Sequence, residues 1–281
     1  MKRSWMFALL APFALSACLS AEDPPADDDD TDDLIGLPLL LGSAEAGAVE
    51  VQLFTDEALH VGLNDIYYRV KKNNDVVTTA TLTQLPMMNM VNMGMEHSCP
   101  HEQPAATADE RGLYAAKVVF IMESSTEGDK AGEWRLELDV DLGGGAAAQE
   151  VTFANVPVVA STARKDLMVP GGMGGATVPV VITLNFAAPP KVGQNPFTLT
   201  VHKQAQMGMV WEPMSDWSAK VTPVMPTMGH GSPGNVQPKH VAAGRFDGSV
   251  NLTMGGLWQI TFDFKDSGAA AMGTVKYELT L

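Results

Sequence analysis

Two stretches constrain this chain more than any others. Trp134-Arg-Leu-Glu-Leu-Asp-Val140 and Trp258-Gln-Ile-Thr-Phe-Asp-Phe264 each set four large apolar residues at every second position, with polar or charged residues between them. A period of two puts Trp134, Leu136, Leu138 and Val140 on one face of a strand, and does the same for Trp258, Ile260, Phe262 and Phe264. A sheet with one apolar face must bury it against a second layer. Beyond the first 18 residues no stretch of ten or more carries a 3.6-residue apolar period, so the covering layer is expected to be another sheet.

The surroundings of the two stretches also repeat. Leu85-Pro-Met-Met-Asn-Met-Val-Asn-Met-Gly-Met-Glu-His97 leads to Gly112-Leu-Tyr and on to Met122 before Trp134. Met225-Pro-Thr-Met-Gly-His230 leads to Gly244-Arg-Phe and on to Met254 before Trp258. Upstream, Val61-Gly-Leu-Asn to Val70 and Val192-Gly-Gln-Asn to Val201 keep valine, glycine, asparagine and the last valine at one spacing. Several features in one order argue for a duplication. The expectation is an all-β chain of two tandem immunoglobulin-like β-sandwich domains.

Their expected limits are 45–165 and 178–281, joined by a Gly-rich linker at 166–177 that would act as a hinge. Val49–Phe54, Asp65–Val70 and Val76–Leu85 read as strands. The stretch from Met87 to about Asp109 reads as an aperiodic loop, and Leu34–Leu41 has no clear place.

The N-terminus is an address. Lys2 and Arg3 precede a short apolar run, Trp5 to Leu15, which is too short to span a bilayer as a helix. Leu15-Ser-Ala-Cys18 resembles a bacterial lipobox, with residues 1–18 as signal peptide and Cys18 as the lipidated first mature residue. Ordinary secretion with cleavage near Ala17 or Ala21 is the alternative. Leucine rather than aspartate at 19 fits sorting to the outer membrane, facing the periplasm. Residues 19–44 read as a flexible tether, with eight acids and two prolines between 22 and 33. A formal charge of −15 excludes a nucleic-acid role. With Cys18 taken by lipid, Cys99 has no partner for a disulfide.

Many of the 17 methionines lie in loop-like sequence rather than among core aliphatics. Thioethers are soft neutral donors that favour Cu(I), and imidazole accepts both copper states. Met225, Met228, His230 and Met254 form a chemically sensible copper set. Met93, Met95, His97 and Met122 form its counterpart, with Met90, Cys99 and His101 as further donors. Core packing at strand ends is the competing reading for Met122 and Met254. Met207-Gly-Met209 with Trp211, Met214 and Trp217 is a second soft and aromatic patch, able to shield a metal or to cover a sheet edge.

The Met-Pro-x-Met-x-His loop, the Gly-Arg-Phe and Gly-Leu-Tyr strand starts, the following methionine and Trp-Gln-Ile-Thr-Phe together resemble the FixH/YtkA-like family of periplasmic β-sandwich domains. The resemblance is close over about 195–265 and looser over about 64–142. It implies copper handling and oxidase assembly, and implicates Met225, Met228 and His230. The first copy departs from the pattern through its denser methionines and the intervening Glu96.

No nucleophile elbow, Walker loop, zincin motif or dinucleotide fingerprint occurs, so no enzyme is expected. The expected function is copper binding for delivery or buffering by a lipid-anchored envelope protein, with the bilayer and a copper-receiving or oxidase-assembly protein as partners. The alternative is a metal-free surface lipoprotein acting as an interaction or structural module.

Overall fold

The computed structural model describes residues 36–127, 131–171, 175–205 and 209–281. The expected signal peptide, Cys18, the acidic run to Asp33 and Met207 lie outside the described residues. The first ten strands are β1 (Leu39–Ala46), β2 (Val49–Thr55), β3 (Gly62–Lys72), β4 (Asp75–Val77), β5 (Thr81–Met90), β6 (Met95–Ser98), β7 (His101–Glu102), β8 (Leu113–Phe120), β9 (Gly132–Asp141) and β10 (Gln149–Val156). The next ten are β11 (Arg164–Pro170), β12 (Thr177–Phe186), β13 (Gly193–Ala205), β14 (Val210–Pro213), β15 (Ser218–Met225), β16 (His230–Gly231), β17 (Val236–Ala242), β18 (Arg245–Leu252), β19 (Leu257–Lys265) and β20 (Ala271–Thr280).

The second series repeats the first with every label advanced by ten. One sheet runs β1-β2-β3-β8-β7 with β4 beside β3, and its partner runs β10-β9-β5-β6. The later pair runs β11-β12-β13-β18-β17 with β14 beside β13, and β16-β15-β19-β20. The chain is therefore all-β, with two tandem immunoglobulin-like sandwiches of one topology.

The alternating stretches do what their period demands. In β9, Trp134, Leu136, Leu138 and Val140 are buried, and in β19 so are Trp258, Ile260, Phe262 and Phe264. Full burial of such side chains contributes about 1.5–3 kcal/mol each. The shared Val-Gly-x-Asn start has a structural cause. Asn64 Nδ2 donates to the carbonyls of His60 and Gly62 at 2.7 and 2.8 Å, and its Oδ1 accepts from the His60 N–H at 2.9 Å. Asn195 repeats this with Lys191 and Gly193 at 2.7, 2.8 and 2.7 Å. Each side chain closes the loop that enters a central strand. Gly62 and Gly193 adopt φ of +126° and +110°, which only glycine takes easily.

Three expectations need correction. Residues 166–177 are not simply a linker, because Arg164–Pro170 is β11, paired with β12 throughout. Likewise β1 begins inside the expected tether. Both open their sandwich at a sheet edge and are largely exposed, so they lack the one-sided apolar pattern that marks inner strands. Nor is there a free hinge, since Leu37–Leu281 forms one compact unit. Val181 of β12 belongs to the first sandwich's core, Asn185 Oδ1 accepts from the Leu63 N–H at 3.0 Å, and Arg245 pairs with Glu102 at 2.6 Å.

The third correction concerns residues 87–109. The strand continues through Pro86 as β5 and returns as β6. Pro86 lies one residue beyond the last β6 pair, Met87 with Ser98, and its carbonyl accepts from Ser98 Oγ at 2.8 Å. Its missing N–H therefore costs no ladder bond on that side. Pro223 sits at the matching place, one residue beyond the Val224–Gly231 pair.

Candidate functional site

In the second sandwich the methionine and histidine residues form a hairpin, not a free loop. β15 ends at Met225, and Met225 opposes His230 in β16. The N–H groups of Met228 and Gly229 both donate to the Met225 carbonyl, at 3.2 and 2.9 Å, and Gly229 has φ +66°. This turn raises Met228 to the tip, where it is 59% exposed. Met225 points inward and is buried, its methyl so close to Gly256 that an added Cβ there would lie 2.8 Å away.

Trp258 is the hub. The His230 ring stands edge-on to it, centroids 6.2 Å apart at 82°. Trp258 Nε1 donates to the Met254 carbonyl at 3.0 Å, which fixes the turn between β18 and β19 beside the same indole. Met254 is 37% exposed. His230 Nδ1 lies 3.0 Å from the Gly231 carbonyl. A carbonyl can only accept, so Nδ1 is the donor in this contact, and in the neutral ring Nε2 is then the acceptor. Thus the His230 ring and the Met254 backbone meet a single buried tryptophan, while the Met228 side chain is exposed at the tip of the hairpin that carries His230.

The first sandwich builds the same hub with a longer hairpin. Met88 opposes both His97 in β6 and Trp134 in β9. The His97 ring meets Trp134 edge-on at 5.5 Å and 87°, and Trp134 Nε1 donates to the Met122 carbonyl at 2.9 Å. His97 Nδ1 lies 3.1 Å from the Ser98 carbonyl, the same lock as in His230. The hairpin then runs two further pairs, Asn89 with Glu96 and Met90 with Met95, before an equivalent turn in which the Met93 and Gly94 N–H groups meet the Met90 carbonyl.

The expected first set is therefore only partly assembled. Met93 and Met95, 55% and 54% exposed, stand two residues farther out, roughly 7 Å along the strand. The counterpart of Met225 is Met88, which sequence reasoning did not single out. A signal was available: Gly132-Glu-Trp134 and Gly256-Leu-Trp258 match, and each glycine accommodates one of these methionines. An added Cβ at Gly132 would lie 2.5 Å from Met88 Cε. Met122 is half-buried against the first core. Glu96 is engaged elsewhere, bonded to Arg135 at 2.9 Å, and that guanidinium holds its carboxyl below the usual range.

The further donors differ. Cys99 is fully buried and burial pushes its thiol well up, so it is not poised as a thiolate. His101 Nδ1 donates to the Cys99 carbonyl at 2.8 Å, and burial lowers its pKa. Among the described residues no three His, Cys, Asp or Glu side chains converge as a metal-holding group. A metal bound at either hub would therefore draw on thioethers.

The YtkA-like family model matches residues 177–263, which run from β12 through most of β19 and include the second hairpin. One copy matches; the first sandwich shares its strand order with the matched one. Comparison with curated proteins gives no match. Among solved structures, the adhesin InvE of Yersinia pseudotuberculosis aligns over 85% of this chain and 60% of its own, at 13% identity and a TM-score of 0.24. That likeness is too low to carry an argument, and the chain spans less than two thirds of that adhesin chain.

Proposed function

With a YtkA-like domain as its second sandwich, we propose that this protein is a non-enzymatic, lipid-anchored envelope protein that binds Cu(I) as cargo for delivery or buffering. One observation carries the reading. His230 Nδ1 donates to the Gly231 carbonyl, which leaves Nε2 as the acceptor nitrogen of the neutral ring, on a hairpin whose tip carries the exposed Met228. Metal-binding histidines characteristically spend their other N–H on such a carbonyl, which fixes tautomer and ring direction. Two thioethers and an imidazole are neutral and soft, and so suit a monovalent copper ion.

Exposure suits transfer. Donors at a hairpin tip let a recipient's ligands approach before the cargo's own ligands leave. Cys18 would hold the protein at the outer membrane facing the periplasm. The run from 22 to 33 could reach roughly 40 Å when extended, bringing the sandwiches to a copper-receiving or oxidase-assembly partner.

The reading of a metal-free interaction module draws on one feature, the burial of Met225 under the hairpin. Anaerobic Cu(I) titration of residues 19–281 against a competing chelator separates the two. The copper reading expects competition that is lost when Met228→Leu and His230→Ala disarm the second hairpin in a chain also carrying His97→Gln. An absence of competition by the unsubstituted chain would sink it.

A further inference from the structure

A cleft of about 690 Å³ opens where the two sandwiches meet, and no residue of either methionine hairpin lines it. That volume falls within the range of small-molecule sites, roughly 300–1,000 Å³. One wall comes from the first sandwich, with Asp56, Glu57, Leu63 and Asp65, and the other from the second, with Phe186, Pro190, Glu278 and Leu279. The connecting segment 161–163 closes it between them. Backbone bonds hold that segment to both walls. The Val159 N–H donates to the Leu59 carbonyl at 2.8 Å, the Val61 N–H to the Val159 carbonyl at 3.0 Å, and the Leu184 N–H to the Ala163 carbonyl at 3.0 Å. Asn185 joins the walls directly through the Leu63 N–H. Thr55 Oγ1 donates to the Glu57 carbonyl at 2.8 Å and so fixes the turn that carries Asp56 and Glu57. The cleft is therefore built by the fold and waits on no ligand to form.

Its lining is one-sided in charge. Four carboxylates face the cleft, and among the described residues that line it none is a lysine or an arginine. Lys117 pairs with Asp65 from outside, and His60 Nδ1 stands 4.0 Å from Glu57. Asp56 Oδ2 accepts from the Tyr67 hydroxyl at 2.8 Å. Burial, together with the Asp56 and Asp65 carboxylates, pushes that phenol up to about 12, as a negative potential at this rim demands. Between the acids lies apolar surface, since Phe186 and Leu279 are only half-buried against the second core. A compact metal ion has no use for such a wall, whereas an ammonium on a methylene stem uses both kinds of surface. We propose that this cleft binds an aliphatic oligoamine, its ammonium groups paired with Asp56, Glu57 and Glu278 and its methylenes laid against Leu63, Phe186, Pro190 and Leu279. The site is independent of the copper reading. Its carboxylates come from both sandwiches, so neither would hold the amine alone. Acidity by itself would not suffice. The outer face of β9 and β10 carries Glu137, Asp139, Asp141 and Glu150, with Asp139 directly opposite Glu150, but on an open sheet with no apolar wall.

That acidic face supplies the control. Residues 19–281, which contain the whole compact unit, are titrated calorimetrically with spermidine at about 0.15 M salt, where exposed charges are screened beyond about 8 Å. One equivalent should bind. Asp56→Asn with Glu278→Gln should weaken binding at least ten-fold. Asp139→Asn with Glu150→Gln removes the same charge from the open face and should change it less than two-fold. Amide shifts on adding spermidine should centre on Ala163, Asn185 and Ala187, and magnesium at matched charge should neither reproduce them nor displace the amine. Equal weakening by both pairs of substitutions, or displacement by magnesium, would reduce the effect to diffuse attraction to an acidic protein and overturn the site. So would shifts centred on β9 and β10, or no saturable binding by the unsubstituted chain. None of these outcomes bears on the copper titration of the hairpins.

Discussion

Among single residues, His202 is the one whose ordinary chemistry the fold changes most. It lies in β13, buried, with Nε2 donating to the Ala243 carbonyl at 3.1 Å and Nδ1 without a partner. Burial pushes its pKa down to about 4, with a smaller contribution from facing His101. The folded chain therefore keeps it neutral where the unfolded chain, titrating near 6.5, takes a proton. Its contribution to stability is complete above pH 6.5 and is lost as the pH falls through about 4, a loss of roughly 3 kcal/mol. Urea unfolding at pH 7 and pH 4.5 should show this difference, and His202→Gln should flatten much of it. An unchanged pH dependence would mean that His202 is solvated. Sequence alone gave no hint of this burial, since nothing in the spacing of an isolated histidine reveals that another domain packs over its strand. The donors of the open hairpin were legible because Met228 and His230 lie close together in the chain. Met88 was not, because its role depends on which rung of the ladder faces Trp134.

At the scale of elements, the inner strands were readable and the outer ones were not. β9 and β19 bury one face and so alternate, whereas β1 and β11 are exposed edges in glycine-rich surroundings and show no period. The hairpins were obscured for another reason: proline sits inside both leading strands, and only the early end of β6 and β16 makes it harmless. The two hubs yield a prediction at this scale. Gly132→Ala would press on the flexible end of Met88, which can shift, at a cost of about 1 kcal/mol. Gly256→Ala meets Met225 Cε in the same way but also forces alanine to φ +124°, adding about 1–3 kcal/mol of backbone strain. Thermal or urea unfolding should therefore rank Gly256→Ala as the more damaging. Equal losses would show that the shared Gly-x-Trp pattern serves only to admit methionine.

For the whole molecule, the duplication has not produced two independent beads. The family model matches residues 177–263 of the second sandwich, yet Val181 of its β12 is a member of the first sandwich's core, and Gly62 of β3 leaves so little room that an added Cβ would lie 2.7 Å from Asn185 Oδ1. These contacts, with Glu102–Arg245 and Trp211–Ser98, make the interface part of both folds rather than a touching of finished surfaces. Truncating Val181 to alanine removes two methyl groups' worth of buried packing and should cost about 1.5–3 kcal/mol. The informative quantity is where that loss appears. If the sandwiches are one cooperative unit, hydrogen exchange should quicken in β3 and β8 of the first sandwich as well as in β12, because the cavity opens into the first core. Exchange that quickens only in β12 and its neighbours β11 and β13 would show that the first sandwich holds itself together.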